Sequence, residues 1–196
     1  MTEEQLLYEG EFLRVKRRGH WEYVERVNAR AVVVIVAVTD ARELVLVEQP
    51  RLPVNAPVIE LPAGLVGDIA GAEDESLATA AGRELEEETG YRSAHMTQSI
   101  DGPPSAGLAN EHITFFLARG LIRIGAGGGD ASEDITPHTI ALNDVAAWLE
   151  QQRQRGAQTF FLHGWRLLSG PGGPGFSILS IPRYLPPFLQ QVVSKR

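Results

Sequence analysis

Residues 76–89 constrain this chain more than any other stretch, because they form a helix that turns carboxylates toward its own apolar face. At about 100° per residue, with Leu77 taken as zero, Ala81 lies at about 40° and Leu85 at about 80°, which defines the apolar face. Glu88 lies at about 20° and Glu84 at about 340°, both on the core side, whereas Glu86 lies at about 180° and is free to face water. Glutamate-rich helices are usually solvated, and this wheel argues against that reading. Glu84 and Glu88 are like charges one turn apart and repel. Glu88 also sits near the negative end of the helix macrodipole. Carboxylates on a low-dielectric face need a compensating charge. Mg²⁺ supplies one: it takes carboxylate oxygens, keeps some waters and completes its shell with substrate phosphates. Arg83 and Glu87 are spaced to pair along the helix.

The rest of the chain supplies a frame for that helix. Alternation at 6–8, 12–16 and 21–27, broken by Gly10 and Gly19, predicts an antiparallel ribbon. The β-branched run 31–38 reads as a central strand, and it is too short to span a bilayer. Further strands are expected at 44–48, 58–61, 112–118 and 135–142, with a Gly-containing loop at 62–74. Asn143 can cap a second helix reaching about residue 155. Gly90 stands just past the first helix, where a left-handed residue ends helices. With 196 residues, one domain and an appendage fit. A net charge of −7 disfavours nucleic acid as a partner. No basic leader follows Met1, which argues against export. The absence of cysteine excludes thiolate chemistry and fits a cytoplasmic protein.

The run Arg83-Glu84-Leu85-Glu86-Glu87-Glu88-Thr89-Gly90-Tyr91, with Glu75 ahead of it across seven intervening residues, resembles the Nudix box. Gly64, in Leu61-Pro62-Ala63-Gly64, resembles the box's leading glycine, although ten residues separate it from Glu75 where the box has five. A five-residue loop insertion accounts for the difference. The resemblance implies an α/β Nudix fold, a mixed β-sheet sandwiched between helices, with the N-terminal ribbon added. It implies that Glu84, Glu87 and Glu88 bind metal, Mg²⁺ with Mn²⁺ as the alternative, together with the carbonyl of Ala63. It also implies that Glu75 and Arg83 brace the loop–helix junction. The metals would polarise a phosphoryl oxygen and generate hydroxide from water.

The ribbon, the segment Glu48-Gln49-Pro50-Arg51 and the lead-in Glu60-Leu61-Pro62-Ala63-Gly64 resemble the ADP-ribose pyrophosphatase branch of that family. In that branch the arginine at Arg51 contacts diphosphate, which suits a planar bidentate donor; an exposed loop salt bridge is the plainer reading. Glu60 either binds a substrate group or lines the loop. Trp21 either stacks a base or packs in the sheet. Ser105-Ala106-Gly107-Leu108-Ala109-Asn110-Glu111 follows the branch's substrate loop except for Ala106, where a proline is usual. The general base is assigned to Glu133, with Glu111 as runner-up and Glu84 as the remaining choice. The expected organisation is a ribbon at 1–28 for dimerisation and base binding, a Nudix domain at 29–155, and an appendage at 156–196 packed on the core or the partner. The expected activity is hydrolysis of the diphosphate bond of a nucleoside diphosphate sugar such as ADP-ribose by a homodimer. Other small-molecule nucleotides (GDP-mannose, a nucleoside triphosphate or a dinucleoside polyphosphate) and a non-catalytic nucleotide-sensing module are the alternatives.

Overall fold

The computed structural model describes residues 3–130 and 133–159. Three strands open it: β1 (Glu4–Glu9), β2 (Leu13–Arg18) and β3 (Trp21–Arg26), antiparallel in that order. The register puts Lys16 opposite Leu6 and Tyr23, and Val15 opposite Tyr8 and Val24. One face of the ribbon is therefore charged, with Lys16 bridging Glu4 at 3.1 Å and Glu25 at 2.6 Å. The other face carries Tyr8, Leu13, Val15 and Val24. Tyr8 and Leu13 are exposed. The ribbon is tied to residues 107–108: Val24 N–H donates to Leu108 O at 2.8 Å, and Trp21 Nε1 donates to Gly107 O at 3.1 Å.

Two four-stranded sheets form the body. Strands β4 (Ala31–Ala37), β7 (Ala63–Val66), β8 (Tyr91–Gly102) and β9 (Ile113–Arg123) make one, in the order β7-β4-β9-β8, with β4 and β9 parallel. Strands β5 (Glu43–Arg51), β6 (Ala56–Glu60), β10 (Thr136–Ala141) and β11 (Gln158–Thr159) make the other, in the order β10-β5-β6-β11. Helix α1 (Leu77–Thr89) buries Ala80, Ala81 and Leu85 against Val33, Ile35, Val45, Val66 and Phe116. Helix α2 (Val145–Gln154) buries Val145 and Leu149 against Val36, Leu44, Leu46, Ile59 and Leu117. Strand β4 buries residues on both its faces, Val33, Ile35 and Ala37 with α1 and Val36 with α2, while Val32 and Val34 pack with Ile113, so it is apolar without a break. The result is the expected α/β fold: mixed sheet between helices, with an antiparallel ribbon at the N-terminus.

The structure differs from expectation in four places. Residues 63–66, expected in a loop, pair with β4 as β7, with Val34 opposite Ala63. Strand β8 was not expected at all. Its residues are mostly polar because it is an edge strand paired only with β9, so apolar alternation is weak. Asp144, not Asn143, holds the N-cap position of α2, and no side chain caps that end. Glu86 is half-buried and paired with Arg92 at 2.6 Å, while Glu87 is the exposed carboxylate of α1. Arg92 lies on β8 and folds back over the helix, which the wheel alone could not show. The expected appendage lies outside the described residues beyond Thr159. Among the described residues no helix is long and apolar enough to cross a membrane.

Candidate metal and active site

Helix α1 starts where Ser76 Oγ accepts the Thr79 N–H at 3.1 Å, and it ends at Gly90, φ +71°. Between those caps it presents one arginine and three glutamates to β7 and to the loop before the helix. Arg83 is the hub. It donates to Glu75 at 3.0 Å, Glu84 at 2.9 Å, Glu87 at 3.1 Å and the Leu65 carbonyl at 3.3 Å. Arg30, on the linker from the ribbon, donates to the Glu75 carbonyl. Glu75 and Arg83 thereby join the long loop to the helix, and the loop adds Asp68, 4.0 Å from Arg83.

Glu84 fills the space that a side chain at position 64 would need: a Cβ on Gly64 would stand 1.9 Å from the Glu84 carboxyl carbon. Glu88 is almost wholly buried, and its Oε2 accepts the Ala63 N–H at 3.0 Å. Burial pushes the Glu84 carboxyl up to about 7, with Glu87 and Asp68 adding repulsion and Arg83 opposing it. Burial pushes Glu88 up to about 8; the Ala63 N–H opposes this, Glu84 and Glu133 add to it, and Arg51 opposes it. The two inward carboxylates therefore resist ionisation together unless a cation joins them. The donors are hard oxygens and neighbours on one helix face, which fits a hard divalent cation held by Glu84, Glu87 and Glu88. In this arrangement Glu84 and Glu87 are turned to Arg83, and among the described residues no three acidic side chains converge on one point.

The remaining candidates fall into two groups. Arg51 and Glu133 both lie close enough to act on the Glu88 charge. Arg51 Nε donates to Glu60 at 2.8 Å, while close to half of its side chain stays in solvent, so Glu60 orients a guanidinium that keeps free donors. Glu133 is exposed at the end of a glycine loop, and its carboxylate accepts the Asp130 N–H at 3.1 Å. The second group lies at the ribbon. Glu111 is paired with Arg26 and not with any residue of α1. Trp21, half-exposed, lines a cavity of about 490 Å³ with Arg18, Tyr23 and Asn110. Sequence reasoning missed Arg26, Arg30 and Asp68, whose roles appear only once distant segments are brought together. It also missed the contact of the glycine loop with α1. The spacing of the glycines in 125–129 was the available signal.

The model of the NUDIX domain matches residues 28–159. Among curated proteins, the chain is 32% identical over 136 residues to a methanol dehydrogenase activator of Bacillus methanolicus, covering 69% of this chain and 71% of the relative. It is 32% identical over 138 residues to an ADP-ribose pyrophosphatase of Bacillus subtilis (strain 168), covering 70% and 72%. A solved structure described as an ADP compounds hydrolase shares the fold, with a TM-score of 0.60 and 20% identity over 76% of this chain and 80% of that one. The box helix, the sheets that carry it and these matches together place the chain in the Nudix family of hydrolases, among relatives of the ADP-ribose pyrophosphatase kind.

Proposed function

We propose that this protein hydrolyses the diphosphate bond of a nucleoside diphosphate sugar such as ADP-ribose, releasing a nucleoside monophosphate and a sugar phosphate, with Mg²⁺ as its metal. The observation that carries the reading is the pair of inward carboxylates, half-buried Glu84 and buried Glu88, with the Arg51 guanidinium near enough to act on Glu88. Mg²⁺ bound there would neutralise the carboxylates and polarise a phosphoryl oxygen. Arg51, held on one edge by Glu60, has donors left for the diphosphate. Glu133 accepts the proton of the attacking water. Glu111 is the weaker choice because Arg26 already engages it.

The cavity beside Trp21 and Tyr23 supports a planar base at the ribbon, where aromatic faces are available for stacking. Exposed Tyr8 and Leu13 on one face of the ribbon support a homodimer, with the ribbon at 1–28 as its interface and residues 29–155 as the hydrolase unit, and the lack of cysteine suits a cytoplasmic enzyme. The test is a panel of nucleotide sugars, nucleoside triphosphates and dinucleoside polyphosphates with Mg²⁺, followed by chromatography of the products. The expected result is AMP and ribose 5-phosphate from ADP-ribose in preference to the other classes. Preferred release of inorganic pyrophosphate from a triphosphate would overturn the reading.

A further inference from the structure

Helix α1 ends against residues 124–129, and its terminal carbonyls are met there by backbone donors. Gly90 N–H reaches Glu86 O at 2.9 Å, Gly129 N–H reaches Glu87 O at 3.0 Å, and Gly128 N–H reaches Glu88 O at 2.9 Å. Gly90 O in turn accepts from Ile124 N–H at 2.8 Å and Gly125 N–H at 3.2 Å. A helix C-terminus otherwise leaves such carbonyls unpaired and negative. Donors placed there offset that field beside Glu88. The approach leaves no room for side chains: a Cβ on Gly127 would stand 2.5 Å from the Thr89 carbonyl carbon, and one on Gly90 would stand 2.3 Å from Gly125 O.

Gly129 has a second contact. A Cβ there would stand 2.3 Å from Glu133 Oε2 and 2.8 Å from Glu133 Cβ. Glu133 closes a turn on Asp130, with its own N–H on Asp130 O at 3.2 Å. Its carboxylate therefore folds back over a glycine whose N–H is bonded to the backbone of Glu87. Gly127 and Gly129 are thus close-packed contacts, whereas a Cβ on Gly125 would meet nothing within 4 Å.

We propose that residues 124–129 are a fixed bracket bolted to the end of α1, and that Gly129 is a positioning residue setting where the Glu133 carboxylate stands relative to Glu87 and Glu88. The proposal rests on the reading of Glu133 as general base. The experiment compares Gly129→Ala, Gly128→Ala, Glu133→Gln and the double variant Gly129→Ala/Glu133→Gln on ADP-ribose. Both alanines go into positive-φ backbone, φ +77° and +115°, so the backbone strain is no smaller in Gly128→Ala, but a Cβ on Gly128 meets only Ile135 O, at an ordinary 3.6 Å. Glu133→Gln is expected to lower kcat by about 10²- to 10⁴-fold. Gly129→Ala should lower kcat by a similar factor, with KM and Mn²⁺ affinity within about twofold of wild type. The double variant should be no worse than Glu133→Gln, and Gly128→Ala should retain far more activity.

Equal losses in the two alanine variants, or additive losses in the double variant, overturn the role of Gly129 alone. An unaffected Glu133→Gln overturns both it and the base assignment. Hydrogen exchange of the ligand-free wild type gives a reading independent of activity and of variant folding. The Gly128 and Gly129 amides should be protected to the level of the Gly90 amide. Free exchange that slows only with nucleotide bound would show a lid and overturn the bracket.

Discussion

Glu84 and Glu88 were legible in the sequence because 3.6-residue periodicity puts them on the Leu85 side whatever the rest of the fold does. The function of Gly64 was not legible from periodicity, since it depends on how β7 passes the helix. Its missing Cβ is the space the Glu84 carboxyl occupies. Gly64→Ala should therefore displace the end of a flexible side chain without breaking the sheet. Mn²⁺ affinity, followed by electron paramagnetic resonance, should fall by about 10- to 100-fold, and turnover with it. Unchanged affinity would show that Glu84 does not need that position. Glu86 illustrates the opposite case. The wheel left it in water, but Arg92 from the unanticipated β8 pairs with it.

At the scale of elements, apolar patterning located the segments that are buried on at least one face and missed those that are not. Strand β4 and helix α1 contribute to the core clusters and stood out. Strand β8 exposes most of its residues and was invisible to that signal, as was the four-residue β7, hidden among glycines and prolines. Helix ends follow local chemistry more directly. Ser76 accepts the Thr79 N–H, so Ser76→Ala should cost about 1 kcal/mol of unfolding free energy, read from the shift in denaturant midpoint, while leaving kcat at the wild-type value. A loss of activity with no loss of stability would mean that Ser76 serves the site and not the helix.

For the whole molecule, the buried acids set how stability depends on pH. The Glu84 and Glu88 carboxyls ionise at about 7 and about 8 in the folded protein, above their unfolded value of 4.5. The folded state then holds more protons on these two groups than the unfolded state between those values, so their contribution to metal-free stability is full below the unfolded value and is lost as pH rises through 7 and 8. Thermal melting in chelator should decline over that window, and added Mg²⁺ should restore more stability at its upper end than its lower end. A melting temperature that rises with pH in chelator would contradict this. Tyr8 and Leu13, exposed on the face of the ribbon away from Lys16, should be covered in a dimer, which light scattering at micromolar concentration would detect. A monomer would contradict the ribbon's proposed role.

On the proposed function, Glu88 belongs to a metal-dependent hydrolytic site and is buried for that purpose. Release of AMP from ADP-ribose at saturating Mg²⁺, measured side by side for wild type and Glu88→Gln, tests it most directly. Glutamine keeps the size of the side chain and removes a charge that repels Glu84, so the apo variant should melt no lower than the wild type. The folded variant is expected to lose turnover by several orders of magnitude. Wild-type turnover in that variant would contradict it.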